Sequence, residues 1–169
     1  MQVRRLTPDD AQIYRQVRLR ALREEPTAFS SSYDEERDLP EAVTADRLRA
    51  LPDRGTFGAF DEDRLVGIVT LAREDRAKLR HRGMIFGMYV APEIRGRGVA
   101  RQLLSEALAL ARSVPGLLLV SLGVNAENPA AIALYESLGF ESWGLDPDAM
   151  MVGERLYDER YMCCRLDRD

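Results

Sequence analysis

The hydrophobic positions in the first half of the chain change from helical spacing to strand spacing. A short apolar segment over 3–6 predicts a first strand. Ile13, Val17 and Ala21 then recur every fourth residue, which predicts a helix that ends before Pro26. The other elements predicted for this half are an irregular segment over 26–43 with a helical turn over 34–37, a short helix over 44–51, and strands over 55–60, 65–71 and 83–90.

The second half of the chain contains a strand–helix–strand unit. Val99, Leu103 and Ala107 recur at helical spacing and predict a helix over 99–113. The run over 117–122 is almost wholly apolar, which is typical of a strand that is covered on both faces. The remaining predictions are a helix that begins at 129 and ends at 139, and strands near 140–143 and 157–166.

This order of elements predicts a single α/β domain over 1–169, of the mixed α+β kind. The early strands have short links and should pair as an antiparallel meander. The strand–helix–strand unit adds a parallel pair with a right-handed crossover. We therefore expect a central mixed, mostly antiparallel sheet with helices on both faces.

Composition and charge exclude several classes of function. The chain has 169 residues, 24 of them basic and 28 acidic, and a net charge of −4, which argues against a nucleic-acid partner. No apolar run reaches the roughly 18 residues of a membrane span, and the N-terminus lacks the apolar segment of a signal peptide. One histidine and two adjacent cysteines are too few for a zinc site. We therefore expect a soluble, cytoplasmic protein without a metal or a membrane partner.

The segment over 95–100, before the long helix, has the composition of an anion site. It combines two glycines, two arginines and a helix start. Glycines let backbone N–H groups approach an anion, and arginine can hold phosphate oxygens in pairs. The segment matches neither the Walker loop nor the dinucleotide-binding glycine pattern. Taken alone, it fits a phosphate site and a flexible surface turn equally well.

Two motifs in order along the chain resemble the GNAT superfamily of N-acetyltransferases. The acetyl-CoA signature Q/R-x-x-G-x-G/A is matched by Arg95, Gly98 and Ala100. A second element, N-x-x-A-x-x-L-Y-x-x-x-G-F, is matched by Asn128, Ala131, Leu134, Tyr135, Gly139 and Phe140. The specific part of the resemblance covers about 84–140, and a weaker match over 18–22 and 26–29 resembles a subgroup of the superfamily.

The resemblance implies a GNAT-like fold with an acetyl-CoA site. The strand ending at Val90 would carry a bulge and diverge from the strand over 117–122, and the pantetheine arm would enter the cleft between them. Asn128 would contact the pantetheine, and Tyr135 would point at the thioester sulfur. The backbone groups implied to bind acetyl-CoA belong to Met88, Tyr89 and Val90 for the pantetheine and to Arg95, Gly96, Arg97, Gly98, Val99 and Ala100 for the pyrophosphate.

The chemistry of acetyl transfer agrees with Tyr135 as a general acid. A primary amine with a pKa of about 10.4 is neutral in only about 1 of 2,500 molecules at pH 7, so an enzyme must select or produce the neutral form. The departing thiolate needs a proton, and a tyrosine with an ordinary pKa of about 10 still carries one at pH 7. The alternative roles are a core aromatic residue for Tyr135 and a plain helix cap for Asn128.

The sequence leaves the general base unassigned. Many members of the superfamily place a glutamate on the strand before the signature, but the strand over 83–90 contains no carboxylate. The candidates are Glu35, Glu36, His81 or a water molecule held by backbone carbonyls.

The sequence therefore predicts an acetyl-CoA-dependent N-acetyltransferase that acts on a primary amine of a small molecule by direct attack. A peptide or protein amine is the alternative acceptor, and eight acids against four bases over 141–169 weakly favour a cationic one. Two other classes stay open, a non-catalytic acyl-CoA-binding module and a nucleotide-binding protein. Analogy with relatives also suggests a homodimer.

Overall fold

The computed structural model describes residues 1–166, which form seven strands and five α-helices linked by short 3-10 turns. The strands are β1 (Gln2–Arg5), β2 (Arg54–Asp61), β3 (Arg64–Arg73), β4 (Arg82–Val90), β5 (Leu119–Asn125), β6 (Glu141–Val152) and β7 (Arg155–Arg165). The helices are α1 (Ala11–Glu24), α2 (Tyr33–Glu36), α3 (Glu41–Arg47), α4 (Val99–Ser113) and α5 (Pro129–Glu136). None of the helices within these residues is long and apolar enough to span a membrane.

All seven strands join one sheet in the order β1-β2-β3-β4-β5-β7-β6. Every neighbouring pair is antiparallel except β4 and β5, which are parallel. The mixed, mostly antiparallel sheet predicted from the sequence is therefore confirmed. The long α4 connects the parallel pair, as a parallel connection requires.

Helices cover both faces of the sheet. On one face, Leu103 of α4 approaches β3 so closely that a Cβ on Gly67 would lie 3.0 Å from its Cδ1. Thr70, three residues further along β3, points to the opposite face and meets the hydroxyl of Thr56 at 2.9 Å. Arg18 of α1 lies on that second face beside β4. The core is thus divided into two layers by the sheet.

The parallel strands β4 and β5 separate soon after they begin. They pair only from Arg82 to Met84, opposite Leu119–Ser121. Beyond this point β4 carries an extra residue relative to β3, and Gly87 adopts a positive φ of 66° that favours glycine. The bulge and the divergence implied by the family resemblance are therefore confirmed, and together they open a cleft in the middle of the sheet.

Two elements differ from the sequence-based prediction. The helix expected over 44–51 runs from Glu41 to Arg47, because Pro40 fixes the backbone just before it and β2 already begins at Arg54. The strand expected near 140–143 extends over twelve residues as β6. Two irregularities in its pairing with β7 accommodate residues that break a simple strand pattern, including Asp148 with a φ of 55°.

Candidate active site

A cavity of about 1180 Å³ occupies the cleft where β4 and β5 diverge. Its walls come from α1 and the segment after it, from the strands β2 to β5 and β7, and from the beginnings of α4 and α5. Most of the residues that the sequence predicted as site residues line it. They are Met88, Tyr89, Val90, Arg95, Gly96, Gly98, Val99, Ala100, Asn128 and Tyr135. Arg97 is exposed and lies outside this lining.

Free backbone N–H groups form a cradle at the start of α4. Gly96 and Gly98 have φ values of 77° and 78°, which bend the chain before the helix. Within residues 1–166, none of the N–H groups from Gly96 to Arg101 has an acceptor. Successive free N–H groups beside a helix N-terminus suit an anion such as a pyrophosphate.

Arg95 does not belong to this cradle as the sequence suggested. Its N–H donates to the carbonyl of Pro92 at 3.2 Å, in the 3-10 turn after β4. Its side chain donates to the carbonyl of Val90 at 2.9 Å and to Glu25 at 2.7 Å. The cradle therefore begins at Gly96, and Arg95 instead ties it to β4 and to the segment after α1.

The side chain of Tyr89, near the end of β4, is bound to α1. The Tyr89 ring is buried, and its hydroxyl donates to Glu24 of α1 at 2.5 Å. Burial and this hydrogen bond both raise the pKa of Tyr89, so the hydroxyl stays protonated at neutral pH. Tyr89 thereby fixes α1 against the strand that borders the cleft.

Asn128 caps α5 and also borders the cavity. Its side-chain oxygen accepts the N–H of Ala131 at 3.0 Å. The carboxamide oxygen of Asn128 is thus hydrogen-bonded within the helix, whereas the NH₂ group of the same side chain has no partner within residues 1–166. The cap holds the first turn of α5, and with it the helix that carries Tyr135, against the cleft.

Tyr135 lies at the inner wall of the cavity. The residue is 6% exposed, and its ring meets Phe140 edge-on with centroids 5.8 Å apart. The hydroxyl has no hydrogen-bond partner within residues 1–166. Burial raises the pKa of Tyr135 to about 12, so the group is a protonated donor at neutral pH.

The structure separates the candidates for a general base. Glu35 is exposed and caps α2 by accepting the N–H of Ser32 at 2.6 Å. His81 precedes β4 at the closed end of the strand pair and does not line the cavity. Glu36 does line it, but Arg18 and Arg47 bind its carboxylate and hold its pKa below the usual range. Its charge is therefore already neutralised.

Several cavity residues were not identified from the sequence. Glu159 and Tyr161 reach the cavity from β7, where Glu159 lies over Gly123 of β5. Alternation along the last strand places these two residues on one face, but only the pairing of β7 with β5 brings that face to the cleft. Within residues 1–166, no group of three or more His, Cys, Asp or Glu side chains could hold a metal ion.

Comparison with known proteins agrees with this geometry. The profile described as the acetyltransferase (GNAT) family matches residues 19–140. The chain belongs to the GNAT acetyltransferase family. Its match therefore includes both the cradle and the helix that carries Tyr135.

Individual relatives of this GNAT protein match it over different lengths. A spermidine N(1)-acetyltransferase from Vibrio cholerae is 34% identical over 98 residues, which cover 58% of this chain and 55% of that protein. The chain spans about half the length of curated relatives that it matches. In a mycothiol acetyltransferase from Kocuria rhizophila, the match covers only 21% of that protein.

Solved GNAT structures share the fold over nearly the whole chain. An acetyltransferase from Streptococcus pneumoniae is 24% identical, with a TM-score of 0.85, and the alignment covers 98% of this chain and 99% of that one. A phosphinothricin acetyltransferase from Sinorhizobium meliloti in complex with acetyl-CoA is 23% identical, with a TM-score of 0.83 and coverage of 98% and 88%. At these identities the likeness establishes the fold.

Proposed function

We propose that the protein transfers an acetyl group from acetyl-CoA to a primary amine of a small molecule, with Tyr135 as the general acid. The observation that carries this proposal is the cleft itself. It joins a cradle of free N–H groups at Gly96–Arg101 to an unpartnered, protonated hydroxyl at Tyr135. Membership of the GNAT acetyltransferase family supports the same activity.

Acetyl-CoA matches the cleft in charge and shape. Its pyrophosphate would accept hydrogen bonds from the cradle, where the dipole of α4 adds about half a positive charge. Its pantetheine arm would lie along the free edge of β4, beside Met88 and Val90, where β5 has diverged. The NH₂ group of Asn128 faces the same cavity and would donate to this arm. Tyr135 would then lie near the sulfur.

Direct attack by a neutral amine requires little covalent chemistry from the protein. The ammonium form of the acceptor loses one proton, the neutral amine attacks the thioester carbonyl, and the C–S bond breaks to release a thiolate. The new amide nitrogen gives its second proton to solvent, and the thiolate takes up a proton. Tyr135 supplies that proton from a buried hydroxyl and would be reprotonated from solvent. A free N–H at the bulge of β4 would stabilise the oxyanion. Of the predicted bases, Glu35 and His81 are poorly placed, which favours a water molecule or the unassigned Glu159.

A binding experiment tests this proposal first. The melting temperature of the purified protein is measured with acetyl-CoA, CoA, ATP and NAD, each at the same excess. A ligand at about 100 times its dissociation constant adds about 2.7 kcal/mol, which raises the melting temperature by several degrees. We expect this shift with acetyl-CoA and CoA alone, followed by thiol release on addition of amines.

Each alternative gives a different result in that experiment. A larger shift with ATP or NAD would replace the proposal with a nucleotide-binding function. A shift with CoA but no thiol release with any amine or peptide would favour the non-catalytic acyl-CoA-binding module. Turnover of peptides alone would favour the peptide or protein acceptor. A cytoplasmic location and the absence of a nucleic-acid partner stay predictions.

A further inference from the structure

Three arginines converge on one wall of the cavity. Arg18 of α1, Arg47 of α3 and Arg54 of β2 all line it. Arg18 and Arg47 meet at the carboxylate of Glu36, and all three arginines line the cavity together with Tyr14. The cluster is defined here as Arg18, Arg47 and Arg54 and is called the arginine wall.

The arginine wall lies beside the place where the acetyl group would react. A Cβ on Gly87, at the bulge of β4, would be 3.8 Å from Nη1 of Arg18. Thr70, which pairs with Phe86 next to the bulge, also lines the cavity together with Thr56. The bulge is thus flanked by the Arg18 guanidinium and by the paired hydroxyl groups of Thr70 and Thr56.

One carboxylate binds two of the three guanidinium groups. Arg18 holds Glu36 with two hydrogen bonds of 2.8 and 3.2 Å, and Arg47 reaches the same carboxylate at 3.2 Å. Arg54 has no hydrogen bond or ion pair of its side chain within residues 1–166, and its Nε is buried without an acceptor. Three guanidinium groups and one carboxylate therefore leave this wall with a net charge of +2.

Arg54 is half-buried, and its buried Nε lacks an acceptor, which is unfavourable; an anion would relieve this cost. The opposite wall carries Glu159 on β7, beyond the cleft in the order of the strands. We propose that the acceptor of this enzyme is an amine that also carries a carboxylate, as an α-amino acid does, and that Arg54 in the arginine wall binds this carboxylate. This inference rests on the proposed acetyltransferase function and specifies its substrate class.

The proposal differs from two simpler expectations. The excess of acids over 141–169 favours a cationic acceptor, but of the described part of that range, 141–166, only Met150, Glu159 and Tyr161 line the cavity. A polyamine would place several positive charges against a wall that is already positive, which is unfavourable. The carboxylate of an amino acid would instead form paired hydrogen bonds with the planar guanidinium group of Arg54.

Matched acceptors test the substrate class directly. Thiol release from acetyl-CoA is measured with pairs that differ by one carboxylate, lysine and 1,5-diaminopentane, and phenylalanine and phenethylamine, with spermidine as a polycation. We expect kcat/KM for the best amino acid to exceed that of its amine partner at least tenfold. Equal or better turnover of the amine partners or of spermidine would overturn the proposal.

The Arg54→Gln variant tests the role of the arginine wall. It should raise KM for the preferred amino acid at least tenfold and leave KM for acetyl-CoA and the turnover of the matched amine unchanged. Its melting temperature should equal or exceed that of the wild type, because a side chain whose buried Nε lacks an acceptor is replaced by a neutral one. Arg112→Gln, at an exposed position near the end of α4, is the matched control and should change none of these values.

Direct binding separates this inference from the proposed function. The melting temperature of the CoA-saturated protein is measured with each acceptor. If no acceptor is acetylated but amino acids still raise the melting temperature, and Arg54→Gln abolishes the rise, the acetyl-transfer proposal fails while the carboxylate site stands. If no amino acid raises the melting temperature of the wild type, the carboxylate site is wrong, whatever acetyl-CoA does.

Discussion

At the scale of single residues, burial keeps the hydroxyl of Tyr135 protonated at neutral pH. Its hydroxyl has no partner within residues 1–166, and burial raises its pKa to about 12. Such a group can donate a proton to a thiolate but is not a useful base at neutral pH. Ring packing against Phe140 holds the side chain at the wall of the cavity, so one residue fills a core position and also borders the cleft.

The Tyr135→Phe variant separates these two roles. We expect kcat to fall about 100-fold, the lower range for loss of a general acid, while the dissociation constant of CoA changes less than twofold. In the wild type, ionisation of Tyr135 should cause no loss of rate below about pH 10, because its raised pKa of about 12 keeps the hydroxyl protonated there. Steady-state kinetics from pH 6 to pH 10 measure both effects. Unchanged kcat across this range would show that Tyr135 is only a core residue.

At the scale of elements, the start of α4 depends on two glycines for its shape. Gly98 is the residue before the helix and has a φ of 78°, but a Cβ there would meet no atom within 4 Å. A side chain at Gly98 is therefore disfavoured by backbone conformation and not by crowding. The direction of the free N–H groups depends on this conformation.

The Gly98→Ala variant tests the cradle. It should destabilise the protein by about 1–2 kcal/mol and weaken acetyl-CoA binding at least tenfold, because the N–H groups turn away from the anion. Gly153→Ala is the control, since Gly153 in the turn between β6 and β7 also has a positive φ of 62° and open space around it. Thermal unfolding and CoA titration of both variants measure the effects. Equal CoA affinity in the two variants would exclude the cradle as the pyrophosphate site.

At the scale of the whole molecule, the outer end of the sheet is exposed and apolar. The edge strand β6 and its partner β7 carry Trp143, Leu145, Met151 and Leu156, which are 60, 55, 67 and 49% exposed. An apolar edge of this kind favours association, and it supports the homodimer expected by analogy.

Light scattering at several concentrations tests the dimer. We expect a mass of about twice 19.1 kDa for the wild type. Trp143→Arg should shift the protein towards the single chain, because a buried charge opposes association. Leu51→Arg, at a position that is 48% exposed between α3 and β2, should leave the mass unchanged. A single-chain mass for the wild type at about 100 µM would contradict the prediction.

The sequence by itself determined the elements and motifs whose signals are local. The apolar spacing of α4 and the glycines before it depend on neighbours along the chain, so both could be read directly. The family motifs also identified the cleft between β4 and β5, although the N–H of Arg95 proved to be used by Pro92. The twelve-residue β6 was missed beyond 143, since cross-strand pairing and not local pattern carries it through its irregular positions.

Tertiary structure alone decided which distant residues share the cavity. Arg18, Glu36, Arg47 and Arg54 come from four separate segments, and no local pattern in the sequence places them together. Glu159 reaches the cleft only because β7 pairs with β5. The physical reason is that the chemical role of a charged side chain depends on its burial and on the partners around it, and folding sets both. The residues of the acetyl-CoA motifs could therefore be named from the sequence, whereas the charge of the cavity wall could not.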